Sequence, residues 1–176
     1  MDIYFVRHAN AGEHIADPKQ DEKRPLDELG SKQSQQMGAV LKALGVQVDV
    51  IISSPLTRAT QTAAHVAQEL GYDKSVLLDS SLRPEGKFEK FRQLLQRQSG
   101  KAAVVVVGHN PSLSEFLSLL VSDEATDSTI EMKKGAVAKV ELKSRRPSLQ
   151  WILTPKTVEA IQEASTTRSR PKTSRK

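Results

Sequence analysis

Cysteine is absent from the 176 residues, which excludes disulfides, thiolate catalysis and zinc–thiolate sites. No apolar run approaches the roughly 18 residues of a membrane span, and the N-terminal residues enter a strand-like stretch at residue 3 with no signal-peptide pattern. A soluble, cytoplasmic protein is expected. There is no glycine-rich loop of nucleotide-binding type and no Gly-x-Ser-x-Gly elbow, so a nucleotide fold and a serine hydrolase lack support. The four histidines, His8, His14, His65 and His109, form no His-x-x-x-His pair. Neither a metal nor another cofactor is expected.

The net charge of +5 is local. Of 26 basic residues, five (Arg168, Arg170, Lys172, Arg175 and Lys176) fall in residues 165–176, which hold no acid, leaving 21 basic and 21 acidic residues elsewhere. The basic balance therefore belongs to a tail whose Ser, Thr, Arg and Pro content reads as disordered. Residues 1–164 are expected to form a single domain, long enough to bury a core without staples. The tail favours a solvated segment over nucleic-acid or membrane contact.

Ile3 to Val6 is a short apolar strand ending abruptly in Arg7-His8. Ala102 to Val107 repeats the idea, running into Gly108-His109-Asn110. Val48 to Ile52 is a third such strand, stopped at Ser53-Ser54-Pro55, where proline cannot continue a ladder. Between them, helical spacing marks 31–44 (Met37, Val40, Leu41, Leu44), 57–70 (Ala63, Val66, Ala67, Leu70), a segment from Phe88 to near Gly100, and one through Leu113, Phe116, Leu117 and Leu120. Residues 75–78 read as a short strand, and 10–28 as a long, polar and functional loop. Ala138, Val140 and Leu142 alternate with charged residues as in a strand with one wet face; 149–153 completes an antiparallel edge hairpin with Trp151 as a core anchor, and 157–164 is a last helix. Strands alternating with helices predict an α/β three-layer sandwich, a mostly parallel central sheet covered on both faces.

Sites in such sheets form beyond the carboxyl ends of the strands. Three strand ends deliver Arg7-His8, Ser53-Ser54 leading to Arg58, and Gly108-His109-Asn110, so two guanidinium groups and two imidazoles converge there. That set suits a dianion, because arginine forks match phosphoryl oxygens and helix N-termini add oriented N–H donors. It would repel a divalent cation.

Arg7-His8-Ala9, Ser53-Ser54-Pro55-Leu56-Thr57-Arg58-Ala59-Thr60-Gln61-Thr62-Ala63 and Gly108-His109-Asn110 resemble, in order, the three motifs of the histidine phosphatase superfamily. Ala9 stands where the family's Arg-His-Gly signature has glycine, so the loop there has to avoid positive φ. Arg24-Pro25-Leu26 with Gly30, Leu82-Arg83-Pro84 and Trp151-Ile152-Leu153-Thr154-Pro155 are similar to the SixA-type phosphohistidine phosphatases. The resemblance covers most of residues 1–155. It implies a phosphoglycerate mutase-like fold and a metal-independent phosphatase in which His8 is the nucleophile and passes through a phosphohistidine. Arg7, Arg58 and His109 would neutralise the phosphoryl oxygens, with Asn10 beside them. The leaving-group acid would be Asp21 or Glu85, with Asp21 preferred. The implied substrate is a phosphohistidine-bearing protein in signal transduction, and phosphate or another oxyanion should enter the pocket. Little chain is left for a lid, so a shallow, uncovered pocket is expected. The alternatives are a small phosphoester or sugar-phosphate phosphatase and a non-catalytic phosphate-binding module; neither nucleic acid nor membrane is an expected partner.

Overall fold

Four consecutive valines, Val104 to Val107, lie fully buried at the middle of a six-stranded sheet. The computed structural model of the chain describes residues 1–122, 130–142 and 146–168. The strands are β1 (Asp2–Arg7), β2 (Val50–Ser53), β3 (Leu77–Leu78), β4 (Ala103–Gly108), β5 (Val137–Glu141) and β6 (Ser148–Leu153). Their spatial order is β3-β2-β4-β1-β5-β6; the first four are parallel, and β5 and β6 are antiparallel to their neighbours. The edge hairpin expected from sequence is therefore present. β-branched residues suit a strand buried on both faces, which reads as a continuous apolar run.

The helices are α1 (Pro18–Glu22), α2 (Glu28–Ala43), α3 (Thr57–Leu70), α4 (Phe88–Arg97), α5 (Ser112–Val121) and α6 (Pro155–Arg168), with a 3-10 turn over Ser80–Leu82. Strand alternation divides the core. Ile3, Phe5, Val104 and Val106 meet Phe91, Leu94 and Phe116 of α4 and α5 on one face. Tyr4, Val6, Val105 and Val107 meet Met37, Leu41, Ala63 and Val66 of α2 and α3, with Val158 of α6, on the other. Phe91 and Phe116 stack with centroids 4.8 Å apart, closing the first of these layers. This is the α/β three-layer sandwich predicted from the sequence.

Several local expectations need correction. The polar stretch 10–28 is not structureless: Asp17 accepts from the N–H groups of Lys19 and Gln20 and starts α1. α2 begins at Glu28 rather than at residue 31, because Asp27 Oδ1 caps the Gly30 N–H at 2.7 Å. A Cβ on Gly30 would lie 1.8 Å from the Asn10 carbonyl oxygen, so only glycine lets this helix start pack on the end of β1. The supposed wet face of β5 is partly covered: Val137 is fully buried, and Lys139 sits 5.8 Å from the Tyr4 ring centroid and pairs with Asp2. Trp151 is half-buried beside Tyr4. α6 extends past residue 164 to Arg168, so the start of the supposed tail is helical; residues 169–176 lie outside the described residues. Among the described residues no helix is long and apolar enough to cross a membrane.

Candidate active site

The register of β1 against β4 pairs Arg7 with Gly108, so the next residue of each strand is a histidine. The His8 N–H donates to the Gly108 carbonyl at 3.0 Å, and the two imidazole centroids stand 4.9 Å apart. β2 runs alongside, with Ser53 opposite Val107, which brings Ser54 Oγ to 2.9 Å from His109 Nε2. The three polar strand ends picked from the sequence thus converge. Ser54 was not singled out for a role; its place in the second motif was the available signal.

His8 Nδ1 lies 2.8 Å from the Ala9 carbonyl, so Nδ1 carries the proton and Nε2 keeps its lone pair. The Ala9 N–H donates to Thr62 Oγ1 at 3.1 Å, and that hydroxyl donates to the Arg58 carbonyl at 2.7 Å. This tie locks the end of β1 to the first turn of α3. Every residue with positive φ among the described residues is a glycine, so Ala9 makes its turn as the sequence required.

Arg58 enters from the second position of α3, whose N-terminus has no side-chain cap. Its side chain is buried; Nη1 donates to the Asp21 carbonyl at 2.8 Å and lies 3.3 Å from Asp21 Oδ2. Asp21 comes from α1, is itself buried, and also takes Arg24 Nε at 2.8 Å and the Ile15 N–H at 3.1 Å. Arg7 Nη1 donates to the Met132 carbonyl at 2.8 Å. Asn110 Nδ2 donates to the same oxygen, and Ser114 of α5 holds both Asn110 and the Met132 N–H. Among the described residues, Arg7 Nε, Arg58 Nε and His109 Nδ1 are buried without a hydrogen-bond partner. Unpaired buried polar atoms are costly and rare, and here three fall in one place.

These groups line a cavity of about 420 Å³ with Gly12, His14, Arg24, Pro84 and Lys134. The expectation of an uncovered pocket is corrected in part: residues 10–28 fold back and supply Gly12, His14, Asp21 and Arg24 as one wall. A slightly larger hollow, about 470 Å³, lies beside Ser81, Lys87 and Arg97, but it contains no histidine. Chemistry rather than size identifies the site. Glu85 lies outside it, ion-paired to Arg83 at 2.6 Å. Asn10 is also off the wall, because its amide nitrogen donates to Asp27 at 2.5 Å and its oxygen accepts from Lys134 at 2.8 Å. Direct phosphate contact by Asn10 is therefore not supported. Lys134 had gone unnoticed, since the Lys133-Lys134 pair reads as ordinary surface charge.

Burial lowers the His8 pKa to about 3, reinforced by the charges of Arg58, Arg7 and Lys134 against the opposing Ala9 hydrogen bond. Burial, then His8 and the nearby arginines, lower that of His109 to about 2. Burial opposes ionisation of Asp21, but the Arg24 and Ile15 hydrogen bonds and the charge of Arg58 hold its carboxyl well below the usual range. Both imidazoles are neutral in the folded protein at neutral pH. Their folded pKa values lie below the ordinary value of about 6.5, so the unfolded chain binds more protons between pH 6.5 and 3. Stability is expected to fall as pH drops through that window, by up to about 1.4 kcal/mol per pH unit for each histidine. Urea melts of the ligand-free protein at pH 7 and pH 5 measure this, and His109→Gln should flatten the slope.

A profile of the histidine phosphatase superfamily (branch 1) matches residues 3–90. An uncharacterized protein of Picosynechococcus sp. is 34% identical over 140 residues, covering 78% of this chain and 82% of that protein. Phosphohistidine phosphatase SixA of Escherichia coli is 29% identical over 159 residues, covering 88% and 94%. The solved structure of the protein histidine phosphatase SixA complexed with tungstate superimposes with a TM-score of 0.80 at 27% identity, covering 90% of this chain and 99% of that one. With the strand order, the three motifs in sequence and these matches all in agreement, the chain belongs to the histidine phosphatase superfamily.

Proposed function

We propose that the chain is a metal-independent phosphatase that removes the phosphoryl group from phosphohistidine on a signalling or phosphotransfer protein. The observation that carries this reading is the set of buried donors left unpartnered among the described residues, Arg7 Nε, Arg58 Nε and His109 Nδ1, around a neutral His8. A phosphoryl dianion would satisfy them, and a tungstate-bound SixA structure is among the close relatives.

His8 Nε2 attacks phosphorus in line while the bond from phosphorus to the substrate nitrogen breaks, and its electron pair leaves with the substrate ring. Water then attacks the phosphohistidine, the phosphorus–Nε2 bond breaks, and inorganic phosphate leaves. Arg7, Arg58 and His109 hold the oxygens; such transfers rest mainly on positioning and charge. Asp21, expected from the sequence as the leaving-group acid, is held ionised by Arg24 and Arg58. Held so, it has no proton to give a leaving group and is too weak a base to take one from water; its part is to hold the Arg58 guanidinium in place. An alkoxide leaving group needs a donated proton, whereas a ring nitrogen can leave as neutral imidazole if its ring already carries one. That difference favours phosphohistidine over phosphoester substrates.

Incubation with phosphorylated histidine proteins and with small phosphoesters, following phosphate release, tests the reading. Faster turnover of the phosphohistidine proteins is expected, and a preference for sugar phosphates would replace it with the ester reading. Asp21→Asn, which keeps the backbone bond to Arg58 but loses the ion pair, should lower kcat/KM for phosphohistidine and phosphoester substrates alike, by about 10-fold. Wild-type kcat/KM in that variant would remove the positioning role, and a loss confined to the phosphoesters would return the acid role to Asp21.

A further inference from the structure

Lys134 is a cation of the cavity that the phosphoryl group does not require. Its backbone is fixed at the end of β1, because the next residue, Gly135, donates its N–H to the Arg7 and His8 carbonyls at 3.2 and 3.1 Å. Gly135 has φ +72°, a conformation that glycine adopts without penalty. The ammonium is held by Asn10 Oδ1 at 2.8 Å. Asn10 is held in turn by Asp27, the same residue that caps α2 and takes the Gly12 N–H at 3.2 Å. A chain of hydrogen bonds from the start of a helix thus aims this one side chain. Its neighbour Lys133 is neutralised by Glu131 at 2.6 Å, whereas Lys134 has no ion-pair partner among the described residues.

Charge counting sharpens the point. The cavity holds Arg7, Arg24, Arg58 and Lys134 against Asp21 alone, so four cations meet one carboxylate and three positive charges remain. A phosphoryl dianion offsets two of them. Arg24 is joined to Asp21, and Arg7 and Arg58 are the groups with vacant donors beside the nucleophile. The uncompensated charge is that of Lys134. In an in-line transfer the body of the substrate lies away from the nucleophile, within reach of the rest of the cavity lining, of which Lys134 is one residue.

We infer that Lys134 is a specificity residue that recognises a second negative group, such as a carboxylate, beside the phosphoryl group of the substrate, and that Asn10 is the positioning residue that aims it. The inference rests on the phosphatase reading above and narrows its substrate to a phosphorylated residue with an acidic neighbour. Asn10 then takes part in anion recognition through the lysine rather than by its own contact. The ammonium keeps two N–H donors after its bond to Asn10, enough for both oxygens of a carboxylate.

The test uses two matched peptide pairs, one phosphorylated on histidine and one on tyrosine, each pair differing only by Glu or Gln beside the phosphorylated residue. The wild-type protein is expected to favour the Glu member by about 10-fold in kcat/KM, the scale of one charge-assisted hydrogen bond in a partly wet site. Lys134→Gln should bring the ratio to near one, Lys134→Glu should reverse it, and Lys134→Arg should restore it. Asn10→Ala should lower the ratio without altering the charge of the cavity. A ratio near one in the wild-type protein overturns the inference. So does an unchanged ratio in Lys134→Gln, or an equal loss on both members of a pair, which would make the lysine a phosphoryl ligand. Should only the phosphotyrosine peptides be hydrolysed, the phosphohistidine reading fails while the ester pair still reports on Lys134.

Discussion

Replacing His8, the proposed nucleophile, with alanine is expected to lower turnover by roughly 10⁴-fold or more and to abolish phosphate trapped on the protein, since the proposed covalent route then has no acceptor. The residue is prepared for this role by its backbone. β1 ends against β4 so that the His8 N–H is bound by Gly108, and the Ala9 carbonyl fixes the Nδ1 proton. Nε2 is left with a free lone pair, and burial keeps the ring neutral far below neutral pH. The ring also buries the Ala9 carbonyl, so its removal costs about 1–3 kcal/mol of stability. His8→Asn separates the two effects, because the amide can still donate to that carbonyl yet cannot accept a phosphoryl group. Both variants should retain tungstate binding through Arg7, Arg58 and His109. Full turnover in either variant, measured as phosphate release with acid-quenched detection of phosphoenzyme, would end the covalent mechanism.

The sheet and the three strand-end clusters were legible in the sequence because their signals are local. Val104 to Val107 is a continuous β-branched run that reads as a buried strand, and the helix over Thr57–Leu70 stops at Gly71, which has φ +69°. What was not legible depends on contacts between distant segments. α1 is five residues long and is held by Asp17 at one end and by the Asp21–Arg58 contact across the cavity. The extra residues of α2 depend on one capping carboxylate, Asp27, that also holds Asn10. Asp27 followed by Glu28, an N-cap acid ahead of an acidic first turn, was the available signal for that cap. Asn10 was expected beside the phosphate, yet its side chain turns to Asp27 and Lys134. Asp21 and Glu85 were both plausible from sequence. Only the fold distinguishes a carboxylate buried among arginines from one paired at the surface.

Arg58→Ala is expected to reduce kcat/KM by about 10²–10³-fold, the usual cost of losing one preorganised donor to a developing oxyanion. Two circumstances place it at the upper end. The guanidinium is almost fully buried, so water cannot substitute for it, and its Nε has no partner among the described residues that would compete with a phosphoryl oxygen. Arg58 also neutralises Asp21, whose carboxylate would keep only Arg24 as a charged partner of comparable burial. Breaking a buried ion pair from one side typically costs about 3–5 kcal/mol, so a lower melting temperature should accompany the loss of activity. Asp21→Asn separates these consequences: combined with Arg58→Ala it removes the unpaired carboxylate and should recover much of the stability while recovering none of the turnover. Arg58→Lys keeps the charge but not the planar fork, and should rescue tungstate affinity only in part. Wild-type turnover in Arg58→Ala would mean that Arg7 and His109 hold the phosphoryl group alone, and the uncapped start of α3 would then need another explanation.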